Sequence, residues 1–337
     1  YLADSFNNKK ILLFSQSLSL AVAFYIGISV YNGTITYEGL AFLAFISGIG
    51  SAVSYPIYYN ILISFVRPEK ISSVIALNSL QFNLSRFIGP SLFGVLVYFV
   101  GLGGCFIVNG FSYLPFLLVI LLTETLTKKH NKKNKNFFSV IKSGFDYIIS
   151  EKDIFWVIKV VFLYSFLILP YLGLLPYYIK NSISDNPQTV SVIMGLLGLG
   201  TILGSLFMTI EARDDSGIKK RFKRTAYAFS LSLIVFSLSS NFYFFCFVAI
   251  ILGFFMVLFY ASANSFIHLS TKEEFRGRTA SFFTSVYLGV YPIGVLVTGF
   301  FAEFFPLKYI FIIQSLISLT YLAFFFKPFS NKNFKRD

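Results

Sequence analysis

The sequence predicts an all-α protein that crosses a membrane many times. Three observations carry that prediction. Of its 337 residues, 56% are apolar and 13% charged, with a mean hydropathy of +0.73; soluble domains average about 45–50% apolar and about 25% charged. The apolar residues gather into ten stretches, each near the roughly 20 residues that span a bilayer. The basic residues then fall almost entirely on one side of those stretches. With 44 Phe and 21 Tyr, the chain holds more aromatic side chain than one globular core could hide. Two cysteines, Cys105 and Cys246, cannot staple a chain of this length, and both sit in apolar runs as small buried hydrophobes.

Taken in order, the expected spans run roughly 11–31, 40–63, 74–99, 103–122, 154–179, 189–210, 225–240, 242–267, 279–302 and 307–326. Links as short as Gly101–Gly104, Ser239–Asn241 and Phe305–Pro306 make their flanking spans antiparallel neighbours. The period-two alternation of an outer-membrane barrel is absent. Charge orients the spans. Placing the segment before the first span in the cytoplasm puts all 28 Lys and Arg inside except Lys180, Lys308, Arg86 and Lys159. Only Lys180 and Lys308 fall outside, while Arg86 and Lys159 lie within spans. So one-sided a split predicts cytoplasmic ends for this chain. The net charge of +13 follows from topology and anionic surface lipid, with no nucleic acid required.

One segment interrupts the spans. Thr123–Asp153 opens with Lys128, Lys129, His130, Lys132, Lys133 and Lys135, then places Phe137, Ile141, Phe145 and Ile148 at helical spacing. This reads as a solvated basic linker followed by an interfacial amphipathic helix. It divides the spans four and six. The halves also repeat: at one constant offset Glu69 falls on Glu274, Ser79 on Thr284, Gly89 on Gly294 and Gly94 on Gly299. Duplicated bundles of this kind characterise secondary transporters. The expected domains are an N-terminal bundle over 1–122, the linker over 123–153, a six-helix bundle over 154–327 and a cytoplasmic tail over 328–337. Because the second half has six spans, the first is expected to lack two helices upstream of Tyr1, so that ten of twelve are seen.

Leu2-Ala3-Asp4-Ser5-Phe6-Asn7-Asn8-Lys9-Lys10 resembles the loop between the second and third helices of the major facilitator superfamily, which runs Gly-x-Leu-Ala-Asp-Arg-x-Gly-Arg-Arg. Asp4, Lys9 and Lys10 match; Ser5, Asn7 and Asn8 depart from it. Pro68-Glu69, Ala76 through Ser79, Asn83, Arg86, Gly89-Pro90 and Gly94 resemble the enterobactin-exporter and macrolide-efflux-like branch, as does Glu274-Phe275-Arg276-Gly277-Arg278 in the equivalent loop. The resemblance implies a major-facilitator-type fold of two helical bundles and proton-coupled efflux by alternating access. It also implies a cytoplasmic charged latch drawn from Asp4, Lys9, Lys10, Glu69, Glu274, Arg276 and Arg278. An Asp before a helix is equally a good N-cap, and Lys is common in any cytoplasmic loop.

Arg86 stands about midway along its span, with about 18 Å of helix on either side. A central Arg costs on the order of 3 kcal/mol on insertion scales, so it should face a cavity or act as glue between helices. Asn83 shares its face, and Asn78 lies to one side. Gly89, Pro90 and Gly94 follow on the same span, and they and the equivalent Gly294 and Gly299 admit close helix packing. By the family layout, Tyr55, Asn60, Tyr164, Tyr171, Tyr260, Asn264, Tyr287 and Tyr291 offer an aromatic cavity lining, suited to an amphipathic substrate. No glycine-rich nucleotide loop is present, and His130 and His268 form no metal pair. The expected function is therefore secondary transport of a small molecule such as a drug or siderophore. It needs no cofactor or metal, and the setting is a bacterial plasma membrane, with protons and lipid as partners and a monomeric state. An uptake permease of the same fold, a lipid-handling protein and a non-transporting remnant are the alternatives.

Overall fold

The computed structural model describes residues 8–64, 71–122, 137–183, 186–211 and 217–325, all helix, turn or short connection, with no strand among the described residues. The chain forms two compact units, Tyr1–Ser85 with Leu92–Lys133, and Arg86–Ser91 with Asn134–Asp337.

The first unit is built on α1 (Asn8–Tyr31), α2 (Tyr37–Ser64) and the long α3 (Ile71–Leu122) apart from its stretch Arg86–Ser91. Two expected spans meet inside α3 at Gly101, whose φ of 69° and ψ of 177° belong to a region open essentially to glycine alone. That residue breaks the helix, and the hydroxyl of Tyr31 donates to the Val100 carbonyl beside the break at 2.6 Å. The second half of α3 packs tightly on α1. A Cβ added at Gly27 would sit 2.9 Å from the Gly103 carbonyl oxygen, and Phe24 meets Phe111 edge to face at 5.1 Å. Against α2, α1 presents Ser15, whose hydroxyl pairs with that of Ser54. Small residues and shared hydroxyls are how helices associate where lipid supplies no hydrophobic drive between them.

The second unit carries α4 (Phe137–Ser150), α5 (Lys152–Leu167), α6 (Pro170–Ser182), α7 (Pro187–Glu211), α8 (Ile218–Leu238), α9 (Phe242–Ser270), a 3₁₀ turn at Glu273–Phe275, α10 (Arg276–Ala302) and α11 (Leu307–Phe325). The expected span 154–179 is two helices, because Pro170 lacks the N–H that would bond the Phe166 carbonyl. Around it the ladder shifts: Leu169 N–H reaches back five residues to Tyr164, and Tyr171 and Leu172 reach back only three. Opposite the break, α10 passes so close that a Cβ at Gly294 would land on the Phe166 carbonyl oxygen. Gly294 is thus a packing glycine, whereas a Cβ at Gly299 would meet only Leu174, at 3.9 Å.

Two aromatic columns spaced by seven form the core. Tyr164, Tyr171 and Tyr178 from α5–α6 interleave with Phe222, Phe229 and Phe236 from α8, and all six are buried. Tyr164 also stacks on Phe259 at 4.4 Å, and Tyr178 meets Phe311 at 5.4 Å. Beside this column α7 and α9 touch backbone to backbone. A Cβ at Gly200 would fall on the Ile250 carbonyl, and one at Gly253 on the Leu197 carbonyl.

Seven described helical stretches are long and apolar enough to cross a membrane: Lys9–Tyr31, Phe99–Leu122, Lys152–Ser182 (α5 and α6 together), Gln188–Met208, Phe242–Ser270, Arg278–Ala302 and Leu307–Phe324. Of the other three expected spans, 40–63 is represented by the shorter apolar helix Tyr37–Ala52, and much of 74–99 carries side chains outside the described residues. The third, 225–240, lies in α8, whose first two turns hold Lys219, Lys220, Arg221, Lys223 and Arg224. Large side chains on the unit surfaces, including Phe14 at 72% and Leu296 at 74% exposed, suit contact with lipid. Gly200→Val should force α7 from α9 and cost about 1–3 kcal/mol, read as a lower unfolding temperature in detergent.

Candidate functional site

The strongest grouping of the sequence candidates lies on α9 and α10. Tyr260 and Asn264 are one turn apart on α9, Tyr287 and Tyr291 one turn apart on α10, and all four are half-buried. Such i,i+4 pairs share a helix face. The rings of Tyr260 and Tyr287 lie 4.5 Å apart at 46°, and Tyr260 meets Phe283 at 5.6 Å. Phe283 is fully buried and forms the floor beneath them.

Two contacts fix this aromatic shelf. The Ser165 hydroxyl donates to the Tyr287 carbonyl at 2.6 Å, tying α10 to α5 beside the α5–α6 break. Gly173 leaves room for Tyr291, since a Cβ there would lie 2.8 Å from the phenol oxygen. The shelf offers ring faces, phenol oxygens and one carboxamide, with no charged group. It can stack against a flat or amphipathic molecule and hydrogen-bond its polar edge. No group of three or more His, Cys, Asp or Glu that could hold an ion occurs among the described residues.

The remaining candidates separate from it. Tyr164 and Tyr171 lie in the core of the second unit, each 0% exposed. The Tyr164 hydroxyl sits 2.8 Å from the Ala226 carbonyl and 2.7 Å from Ser230 Oγ, and Tyr171 donates toward the Met256 sulfur. Burial and satisfied hydroxyls leave them no surface within that unit. Asn78 is half-buried on α3; Arg86 lies on the same helix, and its side chain, with those of Asn83, Gly89, Pro90, Gly94, Tyr55 and Asn60, lies outside the described residues. Asp4 and Glu69 also lie outside them. Lys9 donates to the Leu121 carbonyl at 2.9 Å, at the end of α3, where a cation complements the helix dipole. Lys10 is exposed. In the α9–α10 turn Glu274 and Arg276 are exposed, while Arg278 turns inward to Ser143.

Sequence reading missed Phe283 and Ser165. The spacing Phe283, Tyr287, Tyr291 was the available signal for the first, and nothing in sequence pointed to Ser165. The seven-residue spacing of Tyr164, Tyr171 and Tyr178 likewise marked a core column. A cavity of about 380 Å³ opens between the end of α6 and the α10–α11 turn, with Tyr177, Asn181, Glu303 and Lys308 in its wall. It lies three turns along α10 from the shelf. At the other end of the unit, Lys219 pairs with Asp153 at 3.2 Å and Lys159 covers the Phe155 ring at 4.2 Å.

A multi-pass chain, helical throughout its described residues and with an aromatic face among its spans, has the makings of a membrane transporter. Residues 1–333 match the model of the transmembrane secretion effector family, and the chain belongs to that family of the major facilitator superfamily. Macrolide efflux protein A of Streptococcus pyogenes is 19% identical over 306 residues, covering 90% of this chain and 75% of that protein. Among solved structures, the nucleoside transporter NupG is similar with a TM-score of 0.72 at 13% identity, over 96% of this chain and 85% of that one. A bacterial homologue of the human lysosomal transporter Spinster, inward-facing and unoccupied, gives 0.68 at 11% identity, over 95% and 82%. A bacterial homologue of the iron transporter ferroportin, also inward-facing, gives 0.63 at 16% identity, over 95% and 83%. At such identities the structures establish the fold alone.

Tyr164→Phe should lower stability by about 0.5–1.5 kcal/mol and leave transport unchanged, checked by thermal unfolding in detergent alongside a transport assay.

Proposed function

We propose that this chain is a proton-coupled exporter of small amphipathic molecules, working by alternating access in a bacterial plasma membrane. The observation that carries the reading is the shelf of Tyr260, Asn264, Tyr287 and Tyr291, whose ring faces and few polar atoms suit a large, weakly charged organic substrate. The similarity to macrolide efflux protein A supports efflux over uptake and makes macrolides the first compounds to try; a siderophore is the second class. Arg86, with Asn83 and Asn78 on the same helix, is the second candidate element of the substrate or proton pathway. Glu274 and Arg276 are the gate candidates in the second half, and Asp4, Lys9, Lys10 and Glu69 those in the first. The distribution of Lys and Arg supports cytoplasmic ends. A monomer in contact with anionic lipid is the working assembly.

Expression in an efflux-deficient bacterium should lower accumulation of a labelled macrolide, and a protonophore should abolish the effect. Raised accumulation would mean uptake instead. Tyr260→Ala or Tyr287→Ala, each losing an aromatic contact worth about 0.5–1.5 kcal/mol, should raise the half-saturating concentration roughly two- to tenfold. Arg86→Ala should abolish export while the protein still inserts; unchanged transport would remove Arg86 from the pathway.

A further inference from the structure

Helix α4 has no role in the reading above, yet one of its faces is committed to a single turn of the second unit. The ring of Tyr147 stacks on Phe275 with centroids 4.2 Å apart and planes within 1°. Its hydroxyl accepts the Lys272 N–H at 3.1 Å. Lys272 lies between the end of α9 and the 3₁₀ turn, so this bond ties α4 to the connecting backbone. Arg278 Nη1 donates to Ser143 Oγ at 2.9 Å, and the guanidinium lies 5.4 Å from the Phe275 ring. A Cβ built on Gly144 would stand 3.1 Å from the Arg278 Cβ, so glycine is what lets the helix approach. Ile148 is fully buried on the same side. Of the amphipathic pattern, Ile148 is buried against protein, while Phe145, 43% exposed, touches the Phe282 ring at 5.8 Å.

The effect on the turn is selective. Phe275 and Arg278 are held against α4, while Glu274 and Arg276, on either side of Phe275, stay exposed. We propose that α4 is a brace that remains docked on the α9–α10 turn throughout the transport cycle, with Ser143 and Tyr147 as positioning residues that hold Glu274 and Arg276 outward. Arg278 is then part of the brace and not of the latch. The proposal rests on the reading of the chain as a transporter whose cytoplasmic gate includes Glu274 and Arg276.

The test is a disulfide between Gly144→Cys and Arg278→Cys in the intact protein, with Cys105 and Cys246 replaced by Ser. The Cβ separation is within a few tenths of an ångström of the roughly 3.5–4.5 Å that a disulfide spans. The bond should form in membranes, and export by the oxidised protein should equal export by the same protein after reduction. Loss of export on oxidation, regained on reduction, would mean that α4 must undock; failure of the bond to form would mean that it is not docked. If even the wild-type chain exports nothing, the transporter reading fails by itself. The yield of the bond with and without a proton gradient then decides the brace: equal yields support it and a fall on energisation overturns it. For the positioning role, Ser143→Ala with Tyr147→Phe should change the labelling rate of Arg276→Cys by a thiol reagent by about threefold or more, as the turn samples other conformations. An unchanged rate would overturn that role.

Discussion

A backbone amide inside a bilayer must find its partner within the protein, and the arrangement of this chain follows from how that requirement is met where its helices fail. At Gly101 the break in α3 is accompanied by a phenol hydroxyl, that of Tyr31, brought to the Val100 carbonyl by glycine packing between α1 and α3. At Pro170 the break is covered by a neighbouring helix: α10 can lie against the Phe166 carbonyl because residue 294 is glycine. In both places an irregularity in one helix coincides with the close approach of a second.

The second of these breaks positions the candidate site. Ser165 stands just before it and holds the Tyr287 carbonyl, while Gly173, just after it, leaves space for Tyr291. The shelf is therefore anchored by the least regular part of the α5–α6 span, with the rigid aromatic column of Tyr164, Tyr171 and Tyr178 behind it. The candidate shelf on α10 is thereby joined to the α5–α6 break, and interrupted helices are what transporters tolerate beside their cavities.

Much of this was legible beforehand. Hydropathy located the seven described helical stretches that are long and apolar enough to cross a membrane. The packing role of Gly294 followed from the repeat. Faces were harder to read. Tyr164 and Tyr291 look alike in sequence, since both are amphipathic rings in apolar helices. Which is core and which is shelf depends on whether α8 covers it. The contact of Arg278 with Ser143, on a helix more than a hundred residues away, is one that no local pattern connects to it. The amphipathic face of α4 was visible, but an apolar stripe fits a bilayer surface as well as a protein turn.

The account stands on the shelf of α9 and α10 as the place where substrate rests. A structure of the intact protein bound to an exported macrolide would test that directly. The account predicts ligand density against the rings of Tyr260 and Tyr287, with Asn264 or Tyr291 at its polar edge. Density confined to the cavity beside Tyr177 and Glu303, with the shelf unoccupied, would contradict it.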